Sequence, residues 1–181
     1  MGQEAAVRAP IDLLLEYEQR LADVGAALPA RRESRERWSG IGFRVGDHRF
    51  LAPMDEVREI LDPPTCTRVP GTVSWFLGIA NVRGNLVPVF DLHGFLEGGR
   101  SARGRQARVL TYQQEGVNAA LLVDDVMGMK RFDVSQRAEA TTDAEALAPY
   151  VNDGFRQGDE TWPVLSLSDF VASKDFLEIA R

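Results

Sequence analysis

The chain has 181 residues, 44% of them hydrophobic, enough for one large domain or two small ones. Its net charge of −6 argues against a general nucleic-acid binder, which needs a basic face for phosphate. No basic stretch followed by an apolar one opens the chain, no run approaches the roughly 20 apolar residues that span a bilayer, and a single Cys66 excludes an internal disulfide; a reducing cytoplasm and no direct membrane insertion are expected.

The first expected element is a helix over residues 10–28. Leu14, Tyr17, Leu21, Val24 and Leu28 form one narrow apolar stripe, with Pro10 suited to its start and Pro29 to its stop. The stripe packs on its own domain or docks on a partner; the residues leave both open. Residues 30–39 are charged, lack apolar periodicity and read as a linker, so residues 1–39 form an N-terminal extension. From Gly40 the period becomes two. Ile41, Phe43 and Val45 alternate with Gly42 and Arg44, Gly46-Asp47 makes a tight turn, and residues 48–52 return as a second strand. Residues 79–83, a Gly84-Asn85 turn and residues 86–90 read as another hairpin, with a short helical turn over 91–96 and a polar, Gly-rich loop over 98–105. The second half repeats the theme with strands at 107–112, 117–123, 151–156 and 161–165. Ser166 or Ser168 is placed to cap a final helix over about 167–180. Residues 135–148 read as loop with a helical turn.

Two segment pairs recur. Asp55-Glu56-Val57-x-x-Ile60 resembles Asp124-Asp125-Val126-x-x-Met129, and Pro88-Val89-x-x-Leu92-x-x-Phe95 resembles Pro163-Val164-x-x-Leu167-x-x-Phe170, at offsets of 69 and 75 residues. Two copies of a small β unit of about five strands follow, each suited to a closed or nearly closed barrel, the first over about 40–98 and the second over about 105–165 of a domain spanning 40–181. Pro88 and Pro163 imply a strand edge or barrel corner, because proline cannot donate to a ladder. Units this small must share apolar surface, so a groove between them is the expected binding place.

The stretch from Gly78 to Leu92, with Asn81-Val82-Arg83-Gly84 and Val87-Pro88-Val89-Phe90-Asp91-Leu92, resembles the signature of CheW-like domains. The opening hairpin and Asp55-Glu56-Val57-Arg58-Glu59-Ile60 are similar to the family's start, and the Leu-rich extension is similar to its PilI subgroup. The resemblance covers residues 40–181. It implies a mainly β fold of two SH3-like five-stranded barrels side by side, with N- and C-terminal helices. It also implies an adaptor coupling a methyl-accepting chemoreceptor (PilJ-like) to a CheA-like hybrid histidine kinase (ChpA-like) that controls type IV pilus twitching motility. By the same resemblance Val57, Glu59, Asn81, Arg83 and Gly84 contact the receptor, with Glu59 pairing Arg83, while Gly78, Pro88, Asp91 and Leu92 are structural. A small ligand-responsive domain, with a metabolite in the inter-barrel groove, is the alternative.

Enzymatic readings find little support. His48 and His93 have no third ligand at short spacing and read as solvated surface imidazoles. Asp124-Asp125 lacks the spacing of a calcium loop, and Cys66 has no neighbouring histidine. No catalytic residue, metal or cofactor is expected.

Overall fold

The computed structural model describes residues 36–98, 104–114 and 116–179, together with Ile11. The helix expected over 10–28 lies outside the described residues. The chain is mainly β. Strands β1 (Arg37–Val45), β2 (His48–Pro53), β3 (Glu59–Leu61), β4 (Phe76–Val82) and β5 (Asn85–Asp91) lead into helix α1 (Leu92–Glu97). The second half holds β6 (Arg108–Gln114), β7 (Val117–Val123), β8 (Asp125–Asp133), β9 (Arg137–Ala138), β10 (Val151–Gln157) and β11 (Glu160–Leu165). Helices α2 (Leu167–Ala172) and α3 (Lys174–Leu177) follow. Among the described residues no helix is long and apolar enough to cross a membrane.

Two sheets form, one of six strands in the order β8-β1-β2-β11-β10-β9 and one of five in the order β3-β6-β7-β5-β4. This corrects the expected division into barrels over 40–98 and 105–165. The hairpin β1–β2 of the first half stands in the six-stranded sheet with β8–β11, and the hairpin β6–β7 of the second half stands in the five-stranded sheet with β3–β5. Each half gives its first hairpin to the other. The duplication itself is present in the ladders. Gly42 faces Gly128 as Thr111 faces Glu59, and Leu51 pairs in parallel with Val164 as Ala120 pairs with Val89. Both β4 and β10 carry a register shift at the equivalent place, between Phe76 and Gly78 and between Val151 and Asp153. Sequence similarity shows which segments are alike; it does not show which sheet a hairpin joins, because that depends on burial against strands distant in the chain.

Strand alternation divides the side chains among three cores. Phe43, Val45, Phe50 and Ala52 of the six-stranded sheet meet Phe90, Leu110, Tyr112 and Leu121 of the five-stranded sheet in the central core. The opposite faces build a core within each sheet: Val87, Val89, Val109, Ala120 and Leu122 in the five-stranded one, and Leu51, Phe132, Phe155, Trp162 and Val164 in the six-stranded one. The helices close the central core. Phe95 of α1 and Phe170 of α2 meet edge to face at 5.3 Å, and Phe176 of α3 lies 4.0 Å from Phe90. Burying each such ring contributes about 1.5–3 kcal/mol.

Four local expectations change. Arg37 to Ser39 belong to β1, so the strand starts inside the expected linker. The β4–β5 turn is Arg83-Gly84 rather than Gly84-Asn85, since Val82 faces Asn85. Pro88 is not at a sheet edge: β5 is flanked by β4 and β7, and the parallel ladder to β7 starts one residue later at Val89. The final helix is two short ones. Ser166 Oγ caps α2 by accepting from Asp169 N, and Ser173 ends α2 and caps α3.

Candidate functional site

The Gly78-to-Leu92 segment builds one corner of the five-stranded sheet. Gly78 is buried with φ 122°, and a Cβ there would stand 2.1 Å from Thr67 O, so only glycine lets the Thr67 backbone pair with Ile79. At the far end of β5, Asp91 Oδ1 accepts the Gly94 N–H at 3.0 Å and caps α1, and Leu92 is fully buried in the central core. These residues hold the hairpin at both ends. Its tip, Arg83-Gly84, has positive φ at both positions, 50° and 88°, the pattern of a two-residue turn whose twist matches the flanking strands. Arginine is costly in that backbone region, and Asn81 offsets part of the cost by accepting the Gly84 N–H at 2.8 Å.

Arg83 Nη2 lies 2.9 Å from Glu59 Oε2. The guanidinium is 73% exposed, while Glu59 Oε2 is buried without an aligned hydrogen-bond donor, so charge attraction is what offsets its burial. Glu59 is on β3 and Arg83 at the end of β4, the two outer strands of the sheet. The pair therefore joins the sheet's open edges at one mouth. Beneath it lies a recess lined by Arg58, Val82, Thr111, Gln113 and Asn118. Every lining residue belongs to or adjoins the five-stranded sheet. The site is thus a mouth of one sheet, where a groove between two barrels was expected; the space between the sheets is filled by the central core.

The equivalent mouth of the six-stranded sheet differs. Gly128 stands where Glu59 stands, and Gly158 where Arg83 stands, so no ion pair forms. Farther along the same strands Trp38, Phe132 and Phe155 stack in that sheet's own core, and Lys130 Nζ sits 4.9 Å from the Trp162 ring centre. One mouth carries an arginine paired to a glutamate, and the other carries glycine at both places.

The structure brings Glu59, Asn81, Arg83 and Gly84 together. Val57 is separate: it is half-buried and packs on the central core, so it supports the segment leading to Glu59 from beneath. Sequence reasoning missed Arg58, Gln113 and Asn118. The alternation that put Val109 and Thr111 on one face extends to Gln113, and offered a signal. It also missed Glu56, whose Oε2 accepts Leu167 N at 2.6 Å and whose Oε1 accepts Ser168 Oγ at 2.7 Å, tying the segment before β3 to α2. His93 is corrected. It is half-buried, with Nδ1 2.8 Å from Asp124 Oδ2 and Nε2 3.0 Å from Glu97 Oε1. Among the described residues no group of three or more His, Cys, Asp or Glu is placed to hold a metal ion.

Comparison with known proteins gives consistent matches. Residues 39–175 match the CheW-like domain. The chain is 41% identical over 175 residues to protein PilI of Pseudomonas aeruginosa, covering 96% of this chain and 98% of that protein. It is 27% identical over 151 residues to the chemotaxis protein CheW of Helicobacter pylori, covering 81% and 88%. The solved scaffolding protein CheW of Thermoanaerobacter tengcongensis shares the fold, with a TM-score of 0.64 over 73% of this chain and 90% of that one at 21% identity.

Proposed function

The chain belongs to the CheW-like domain family, in its PilI subgroup, and from that premise we propose that it is a non-catalytic adaptor of a chemotaxis-type pathway. In this reading it couples a methyl-accepting, PilJ-like receptor to a CheA-like, ChpA-like kinase controlling type IV pili, and it works in the cytoplasm at receptor arrays. Signals pass through binding surfaces, with no covalent step in this chain. Each sheet, curled around its own core, is read as an SH3-like barrel. The observation that carries the site assignment is the strained, exposed Arg83 paired to Glu59 at a mouth whose counterpart in the duplicate has glycine at both positions. Backbone strain persists where the surroundings over-determine it, and it concentrates at binding surfaces. The receptor tip is proposed to contact Arg83, Glu59, Asn81 and Gly84.

A pull-down with the receptor's cytoplasmic tip tests this. Arg83→Glu is expected to lose capture of the tip while retaining the wild-type unfolding midpoint to within a few degrees. Unchanged capture removes the site assignment.

A further inference from the structure

The duplication places a carboxylate against a helix twice. Each half crosses from its hairpin to the other sheet through an acidic segment, 54–58 in the first half and Asp124 in the second. In the first crossing Glu56 holds Ser168, the second residue of α2. In the second, Asp124 holds His93, the second residue of α1 and the equivalent of Ser168. Asp124 does more than meet the imidazole. Its Oδ2 accepts the Gly46 N–H at 2.6 Å, its own N–H donates to Arg44 O at 3.0 Å, and Arg44 Nη1 donates to Gly46 O at 2.7 Å. The β1–β2 turn of the six-stranded sheet is thereby tied to α1, which is continuous with the five-stranded sheet.

We propose that His93 is a pH-responsive latch between the two sheets, closed when its imidazole is protonated between Asp124 and Glu97. The Glu56 clasp holds a serine hydroxyl; this one holds an imidazole, the side chain whose ordinary pKa lies near neutrality. The charged groups facing His93 are Asp124 at the β7–β8 crossing, Glu97 on α1, and Arg44 at 3.9 Å from Asp124 on β1. Asp47 of the β1–β2 turn and Arg105 line the same recess. Burial alone lowers the imidazole's pKa, but the contacts to Asp124 and Glu97 and their charges outweigh it and hold it above the ordinary 6.5. A group with a raised folded pKa stabilises fully below its unfolded value, and that contribution fades as pH rises through the folded one. The latch is therefore closed in mildly acidic conditions and loosens on the alkaline side of neutrality.

The full chain and His93→Gln are compared by unfolding midpoint and by amide exchange from about pH 5.5 to about pH 8.5, the window where an imidazole titrates. The wild type is expected to lose stability relative to the variant as pH rises past 6.5. Protection of the Gly46 amide, relative to the variant at the same pH, is expected to fall in step. Parallel stability curves overturn the proposal. So does a stability difference without a change at Gly46, which makes His93 a local ion pair and no latch. If His93→Gln does not fold, Glu97→Gln replaces it: a smaller pH-dependent loss than wild type supports the latch, and an equal loss overturns it.

Discussion

Arg83 and Glu59 join the two outer strands of the five-stranded sheet, 2.9 Å apart across its open mouth. Their segments are separated along the ladder by β6, β7 and β5, so this contact closes what backbone hydrogen bonds leave open. An ion pair this exposed contributes only about 0–1 kcal/mol, so its main effect is on the shape of a surface.

Arg83→Gly separates shape from strain. Glycine adopts φ 50° freely, which recovers about 1 kcal/mol, and the lost ion pair costs a similar amount. The expected result is an unfolding midpoint near wild type with loss of receptor-tip capture, read by calorimetry and pull-down on the same preparation.

Gly78→Ala is expected to be far more damaging. Its Cβ would meet the Thr67 carbonyl, which is backbone and cannot swing aside, at a φ that disfavours any side chain. A loss of about 3 kcal/mol or more is expected, seen as a lower urea midpoint with unchanged slope.

Glu56→Ala removes a carboxylate that accepts three bonds from α2 and leaves the Ser168 hydroxyl only its contact with Ser166 Oγ. Bonds to charged acceptors contribute about 1.5–3 kcal/mol, and a loss in that range is expected by urea unfolding. Asp55→Ala, at the exposed neighbouring position, is expected to change stability by less than about 0.5 kcal/mol.

Alkaline stability reports on Tyr150. Burial raises its pKa above 10, aided by the hydroxyl's 3.0 Å bond to Asp175. The fold thus favours the neutral phenol, and that contribution is lost as pH rises from 10 through the folded value. Tyr150→Phe is expected to flatten this alkaline loss in thermal melts, at a small cost near neutrality.

Much of this was legible in the sequence. Alternation at Ile41, Phe43 and Val45 located the first hairpin, and the Gly78-to-Leu92 stretch located the corner that carries Arg83. The recurrence of Pro88-Val89 as Pro163-Val164 marked the duplication, because both prolines precede the residue that starts a parallel ladder. What escaped was long-range. Nothing local to Ile41 says that its hairpin packs beside β11 rather than β5. His93 looked solvated because Asp124, which buries and charges it, lies 31 positions away. The β4–β5 turn was misplaced by one residue because Gly84-Asn85 is a good turn pair, whereas the ladder puts Arg83 at the first turn position.

The exchanged hairpins make the molecule indivisible. Neither half of the chain owns a complete sheet, so trimming the protein to a single binding face is impossible: deleting either half also strips two central strands from the sheet that remains. A protease nick between α1 and β6 leaves two fragments interlocked through all three cores. Surfaces on opposite sides of the molecule are thereby obliged to stand or unfold as one.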